Sequence, residues 1–285
     1  MALKSHGFMR PVSILSARSG LDGELLETNM GLPGGLRLMT PAASRVLTFG
    51  RPDHYVGERA TFALAMILAR KSRVFIDVGA NEGLFTYGAA VTLGPSQHRD
   101  MHLFEPDEDL FGRLSANLTR NTIKAHANQV AVSDRMGTQT FHRNLDDNLS
   151  GSLSDYFTAT HRTVAVEVKV TTLADYLEAH DITDAFVKVD VEGAGAEVWA
   201  GAAAAAPRIK WLVYEMLAPE IEARLPQQII AAGFTAYYIR DFEIVPAPGG
   251  AFTYKDPFYN WLFCRADADE LAEVLRGTDF RVVDA

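Results

Sequence analysis

The chain has 285 residues, a formal net charge of −9, and 48% apolar residues. That length and apolar content supply the core of one large α/β domain, or of one domain with a small appendage. The acidic balance argues against nucleic acid as the main partner, because phosphate contacts need a basic surface. The absence of any run of about eighteen apolar residues argues against a membrane-spanning helix.

In chain order, Met1-Ala2-Leu3-Lys4-Ser5-His6-Gly7 lacks the apolar core of a secretory signal. Residues 1–54 are rich in Gly and Pro and carry two short candidate strands, Glu24–Met30 and Leu36–Thr40. They read as an N-terminal extension, since they could not bury a core alone. Residues 55–285 form the main domain. In Val56–Lys71, Phe62, Ala63, Met66, Ile67 and Ala69 recur at helical spacing.

Val74–Val78 follows as an apolar strand around Asp77, and Gly79-Ala80-Asn81-Glu82-Gly83 closes it. This reads as a buried parallel strand ending in a glycine turn, where an open α/β sheet holds a nucleotide-like ligand. In a dinucleotide site the turn faces a pyrophosphate, which Asp77 would repel. S-adenosylmethionine carries a sulfonium and an ammonium but no phosphate, so an acidic turn suits it. The alternative is a turn that serves strand-to-helix geometry alone.

A helix from Leu84 leads to a second strand, Met101–Phe104, which ends at Glu105-Pro106. An acid at that point can take both ribose hydroxyls. Asp107, Glu108 and Asp109 read instead as carboxylates favouring the start of a helix over 107–120. Gln129–Val132 reads as the next strand.

Between Ser133 and Asp181 the strand–helix rhythm is interrupted. Gly137–His142 and Val164–Val170 look like strands of a hairpin insertion joined through the polar loop Asn144–Ser154. The insertion reads as an acceptor lid over the crevice or as a surface hairpin that extends the sheet. Ala185–Val189 is another apolar strand, with Lys188, Asp190 and Glu192-Gly193 at its carboxyl end. A helix follows through the alanine run to Pro207, then the strand Trp211–Glu215. A helix over Pro226–Ala232 closes at Gly233, and Thr235–Ile239 and Trp261–Cys264 are the last strands. Cys264, the single cysteine, excludes an internal disulfide, points to the reducing cytoplasm and reads as core packing.

Three stretches together resemble the FkbM family of S-adenosylmethionine-dependent methyltransferases, over about residues 55–265. They are Ile76–Gly83, Phe104-Glu105-Pro106 with Leu114 and Asn117 behind it, and Val187–Gly193 leading to Gly201. The resemblance implies a class I, Rossmann-like α/β fold, whose mostly parallel seven-stranded sheet carries helices on both faces. The cofactor set it implies is Asp77, Gly79, Ala80, Asn81, Gly83, Phe85, Glu105, Pro106, Ser133 and Asp190. Family members mostly methylate hydroxyls of sugars or natural products, and a few act on a protein side-chain amide. A small-molecule acceptor is therefore expected, without nucleic acid or membrane, and a homodimer is a candidate assembly. One departure stands out: where the family usually has Glu two residues after Glu192-Gly193, this chain has Gly195.

Methyl transfer is an in-line displacement, so the protein must hold the acceptor about 3 Å from the methyl carbon. An alcohol needs a base. Asp190 is the first choice, Glu192 the second, and Lys188 shares a strand face with Asp190 by period-two alternation. Glu215, His54, His142 and His161 are further candidates, the histidines reading more readily as surface residues. No metal is expected; the alternative is magnesium at Asp190 and Glu215, since oxygen ligands suit that ion. A nicotinamide oxidoreductase is disfavoured by Asp77, whereas an amide N-methyltransferase and a non-catalytic binding module remain rivals.

Overall fold

The computed structural model describes residues 13–20, 23–29, 36–41, 56–145, 150–250 and 260–283. His54, Met30 and the loop residues 146–149 lie outside them. The strands and helices run in the order β1 (Ser13–Gly20), β2 (Gly23–Asn29), β3 (Arg37–Pro41), α1 (Val56–Ala69), β4 (Val74–Val78), α2 (Leu84–Leu93), β5 (Met101–Phe104), α3 (Glu108–Arg120). Next come β6 (His126–Asn128), β7 (Ala131–Val132), β8 (Gly137–Asn144), β9 (Gly151–Ser152), α4 (Asp155–Thr160), β10 (Thr163–Thr171), α5 (Leu173–Ala179), β11 (Ala185–Val189). The last are α6 (Gly195–Ala202), β12 (Ile209–Glu215), α7 (Ala218–Glu222), α8 (Leu225–Ala231), β13 (Thr235–Arg240), β14 (Glu243–Pro246), β15 (Asn260–Cys264), α9 (Ala268–Val274) and β16 (Arg281–Val282).

The main sheet has the order β16-β14-β13-β15-β12-β11-β4-β5-β6. Its half from β12 to β6 is parallel, and β15 runs antiparallel between β12 and β13. Among the described residues the sheet has nine strands, the seven expected being extended by β14 and β16. The addition has a local cause: beyond β13, Asp241 adopts φ 51° and the chain doubles back as β14, whose open edge is taken by β16.

Period-two alternation sorts the parallel strands onto two cores. Phe75 and Phe186 are register partners whose rings lie 5.4 Å apart on one face, covered by α1, α2 and α3. Ile76, Val78, Val187 and Val189 point to the other, covered by α5, α6 and α8. The same alternation puts Asp77 and Lys188, again register partners, on the Phe75 face at the carboxyl end of the sheet. A charge pair at the end of an otherwise apolar face is where this fold concentrates chemistry.

A second sheet, β7-β10-β8-β9, is built on the insertion. Eight antiparallel pairs join β8 to β10, and the end of β10 runs parallel to β7. The strand expected at Gln129–Val132 is therefore split. The main sheet takes His126–Asn128, and Ala131–Val132 roots the insertion instead. Strands β1, β2 and β3 form a separate sheet. Two side-chain amides one turn apart, one in α3 and one at its C-cap, hold β3. Asn117 bonds both backbone groups of Met39 at 2.8 and 3.0 Å, and Asn121 does the same for Arg37 at 3.0 and 2.9 Å.

Candidate active site

The carboxyl ends of β4, β5 and β11 open into a cleft. Gly79 forms one wall. Its φ is 77°, and a Cβ there would lie 1.9 Å from the Asp190 carbonyl oxygen, so no side chain fits. The Gly79 and Ala80 N–H groups donate to Phe104 O at 3.0 and 2.9 Å, which locks the turn to β5. Asn81 takes a left-handed φ of 52°, a conformation Asn tolerates best among non-glycine residues.

Glu105 is buried at the end of β5. Its Oε2 accepts the Asn81 N–H at 2.8 Å and its Oε1 the Asp107 N–H at 2.9 Å. Each carboxylate oxygen has a further lone pair. Burial pushes the Glu105 pKa up to about 7, against the pull of those two backbone donors.

Lys188 is the hub of the opposite wall. Its Nζ lies 3.2 Å from Asp190 Oδ2, 3.5 Å from Asp77 Oδ1 and 4.6 Å from the centre of the Phe85 ring. Burial disfavours the ammonium, but Asp190 and then Asp77 outweigh it, and the Lys188 pKa is raised. Asp77 is fully buried; burial raises its pKa, although Lys188 and a 2.8 Å hydrogen bond from Thr86 Oγ1 favour its ionised form. Asp190 is one-third exposed to the cleft (33%). Behind it, burial first and then the charges of Asp190 and Glu192 raise the Glu215 pKa well above the carboxylate range. Glu215 hydrogen-bonds Asp190. Among the described residues, no group of three or more His, Cys, Asp or Glu gathers to hold a metal ion. The Lys188 ammonium stands where a cation between Asp77 and Asp190 would stand.

The insertion contributes Phe141 and Ser150–Leu153 to the lining of the cleft. Two anchors hold it. Arg143 Nε lies 2.5 Å from Asp107 Oδ2 and its Nη1 3.2 Å from Asp109 Oδ2, at the start of α3. Ser152 Oγ donates to Val191 O at 2.9 Å. That second anchor grips a strained turn, because Glu192 has φ 52° and Gly193 φ 93°. A left-handed Glu costs about 1 kcal/mol or more and persists only where neighbours enforce it.

The methyltransferase FkbM domain matches residues 77–238. This chain belongs to the FkbM methyltransferase family. The matched domain is a methyltransferase domain, carried here on an α/β fold with a mixed sheet. Among solved structures it is similar to methyltransferase FkbM from Methylobacillus flagellatus KT, with 16% identity and a TM-score of 0.44 over 68% of this chain and 43% of that one. It is also similar to precorrin-6y C5,15-methyltransferase from Geobacter metallireducens GS-15 (12% identity, TM-score 0.39, 72% of this chain and 89% of that one). A human methyltransferase 10 domain containing protein is similar at 14% identity, with a TM-score of 0.41 over 82% of this chain and 90% of that one. The chain spans less than half the length of the Methylobacillus protein. No curated protein matches.

Of the residues singled out in the sequence of this FkbM methyltransferase, Gly79, Ala80, Asn81, Phe85, Glu105, Pro106, Lys188, Asp190 and Glu192 line the cleft. Asp77 lies beneath that lining, behind Lys188. Gly83 packs on Leu114 and Tyr87. Ser133 is buried, and its carbonyl oxygen lies where a Cβ on Gly201 would fall. His142 faces Asp155 at 3.3 Å and His161 stacks on Phe157, both outside the lining. Cys264 is buried in the core, and burial pushes its pKa up to about 12.

At Gly195 a buried glutamate from elsewhere in the chain, Glu220, bonds the backbone. Its Oε1 accepts the Gly195 N–H at 2.8 Å and its Oε2 the Leu217 N–H at 3.1 Å. Tyr214 Oη donates to Gly195 O at 2.9 Å. A Cβ on Gly195 would sit 2.9 Å from both partners, so this arrangement requires glycine. Sequence reading missed Glu220, Thr86 and Arg143. Only Glu220 carried a signal, a lone acid in Leu217-Ala218-Pro219-Glu220-Ile221.

Proposed function

We propose that this chain transfers a methyl group from S-adenosylmethionine to a hydroxyl of a small acceptor, a sugar or natural product, with Asp190 as the base. The observation that carries the reading is the Asp190 carboxylate, which reaches the cleft while Lys188 braces it from within and Glu215 backs it.

The cleft fits the cofactor on three counts. Both Glu105 oxygens keep lone pairs for ribose hydroxyls. The side-chain-free surface of Gly79 allows close backbone approach. An acidic lining suits a cationic donor, and Phe104, Leu110 and Val132 supply apolar surface for the base. Bound S-adenosylmethionine would supply an electrophilic methyl carbon on a sulfonium. The protein's part is to orient the acceptor and take its proton. As the acceptor oxygen forms its bond to carbon, its proton passes to Asp190. Lys188 holds that carboxylate in one orientation. The lid anchors at Arg143 and Ser152 exclude water that would compete for the methyl group.

Asp190→Asn keeps the shape but cannot accept a proton. Its single-turnover rate with saturating cofactor should fall about 10²–10⁴-fold, with S-adenosylhomocysteine affinity unchanged. A variant that retains more than about a tenth of the rate would mean another group is the base.

A further inference from the structure

Asp107 stands between the cofactor wall and the insertion. Its backbone N–H donates to Glu105 Oε1 at 2.9 Å, and its Oδ1 accepts from the Asp109 and Leu110 N–H groups at 2.9 and 3.0 Å. Its side chain is 4% exposed, and Arg143 Nε lies 2.5 Å from its Oδ2. Arg143 belongs to β8, where it pairs with Gly151 of the cleft lining. The buried acid Glu105 thus sits beside a second buried carboxylate, and a cation that answers the second comes from the insertion.

Other groups around Glu105 are matched within the main domain. Asp77 of β4 is held by Lys188 of β11, and Glu82 of the glycine turn meets Arg113 of α3 at 3.5 Å. Strand β6 offers Asn128 O, which accepts the Glu105 N–H at 3.1 Å. Glu108 and Asp109, at the start of α3, are exposed. Burial acts most strongly against the ionised Glu105, and the charges of Asp107 and then Asp77 add to it.

We propose that Arg143 is a positioning residue for the cofactor: from the insertion it fixes and neutralises Asp107, and so keeps Glu105 ready to accept the ribose hydroxyls. This rests on Glu105 as the ribose acid and goes beyond it, because cofactor affinity then depends on how the insertion is seated. With Arg143 in place, Asp107 turns its N–H to Glu105 and its charge to the guanidinium. With Arg143 withdrawn, Asp107 is a bare charge beside a buried acid. Glu105 then takes up a proton more readily and loses the charged form that holds hydroxyl donors best.

The test is calorimetric titration of S-adenosylhomocysteine into the full chain from pH 6 to 9. Parent affinity should fall below a break near pH 7. Arg143→Gln should raise that break by about one unit, an affinity loss of about fivefold at pH 7 that closes by pH 9. Arg143→Lys keeps the charge and should leave the break in place. Asp107→Asn keeps a good helix cap and should lower the break, and the double variant with Arg143→Gln should return it to near the parent's. By reciprocity, bound S-adenosylhomocysteine should slow hydrogen exchange along β8 in the parent and less in Arg143→Gln. A merely structural loss would lower affinity equally at every pH. An Arg143→Gln profile that bends where the parent's does would therefore overturn the inference and leave Glu105 in place. So would an Asp107→Asn profile that bends at higher pH than the parent's. A parent profile with no bend removes Glu105 as the ribose acid, and the role of Arg143 falls with it.

Discussion

Replacing Glu105 by Gln removes a charge without changing shape, and the structure sets opposite signs for its effects on fold and on ligand. Burial lifts the Glu105 pKa from its ordinary 4.5 to about 7. At about 1.4 kcal/mol per pKa unit, ionising it in the ligand-free fold costs about 3 kcal/mol. The raised value means that this stability is fully present below pH 4.5 and is lost as pH rises through 7. Glu105→Gln should therefore stabilise the ligand-free chain at pH 8. The gain is less than 3 kcal/mol, because the Gln amide must turn its NH₂ toward one of the Asn81 and Asp107 N–H donors. Ligand affinity moves the other way, since ribose hydroxyls donate best to the ionised carboxylate. Two such charged hydrogen bonds are worth about 1.5–3 kcal/mol each, so the variant should bind S-adenosylhomocysteine at least about tenfold more weakly. The parent protein should lose up to about tenfold in affinity per pH unit below 7, and the Gln variant should be flat. Calorimetry from pH 6 to 8.5 on both proteins checks this. A flat parent profile together with unchanged affinity in the variant would remove Glu105 from the cofactor site.

Gly79→Ala should abolish S-adenosylhomocysteine binding and lower the melting temperature, because its Cβ would enter the Asp190 carbonyl. Gly94→Ala, with a similar φ of 80° and open space around it, is the control and should cost only about 1–2 kcal/mol by denaturant unfolding. Equal losses at the two glycines would mean that backbone strain alone is at work. Lys188→Met leaves Asp77 and Asp190 facing each other uncompensated and should cost about 3–5 kcal/mol in urea unfolding, with partial recovery when Asp77→Asn is added. Turnover should survive EDTA, since among the described residues no group of three or more His, Cys, Asp or Glu gathers to hold an ion; loss restored by magnesium would refute that.

Local pattern made the parallel strands and the glycine turn legible, because both are written within ten residues. Strand β4, the acid at the end of β5 and the Lys188–Asp190 alternation all follow from period-two burial and the backbone demands of glycine. Elements whose reason lies elsewhere in the chain were not legible. The three-residue strand His126–Asn128 is short and carries two polar residues, and it is a strand because β5 offers it an edge. Strands β14 and β16 depend on each other across a sequence separation of 38, Glu243 pairing with Arg281. Asp107 reads correctly as a helix-start acid, since it caps α3 by accepting from the Asp109 and Leu110 N–H groups. Its second duty, holding Arg143 of the lid, had no sequence signal.

Asp77 shows where the limit falls. Its position before the first glycine suggests a carboxylate facing the cofactor's positive end, and that inference assumes that nothing stands between them. Lys188 lies directly against Asp77, placed there by strand register from a residue far along the chain. The positive charge beside Asp77 in the folded protein is thus the protein's own. A carboxylate in that position acts on the cleft through the lysine. It holds the ammonium back against Phe85 and the Gly79 carbonyl, and the ammonium in turn aims Asp190. Asp77→Asn would then loosen Lys188 and disturb Asp190 before it touched any ligand. Its effect should appear in turnover and stability more than in S-adenosylhomocysteine affinity. A loss confined to affinity would put the Asp77 carboxylate in contact with the cofactor after all.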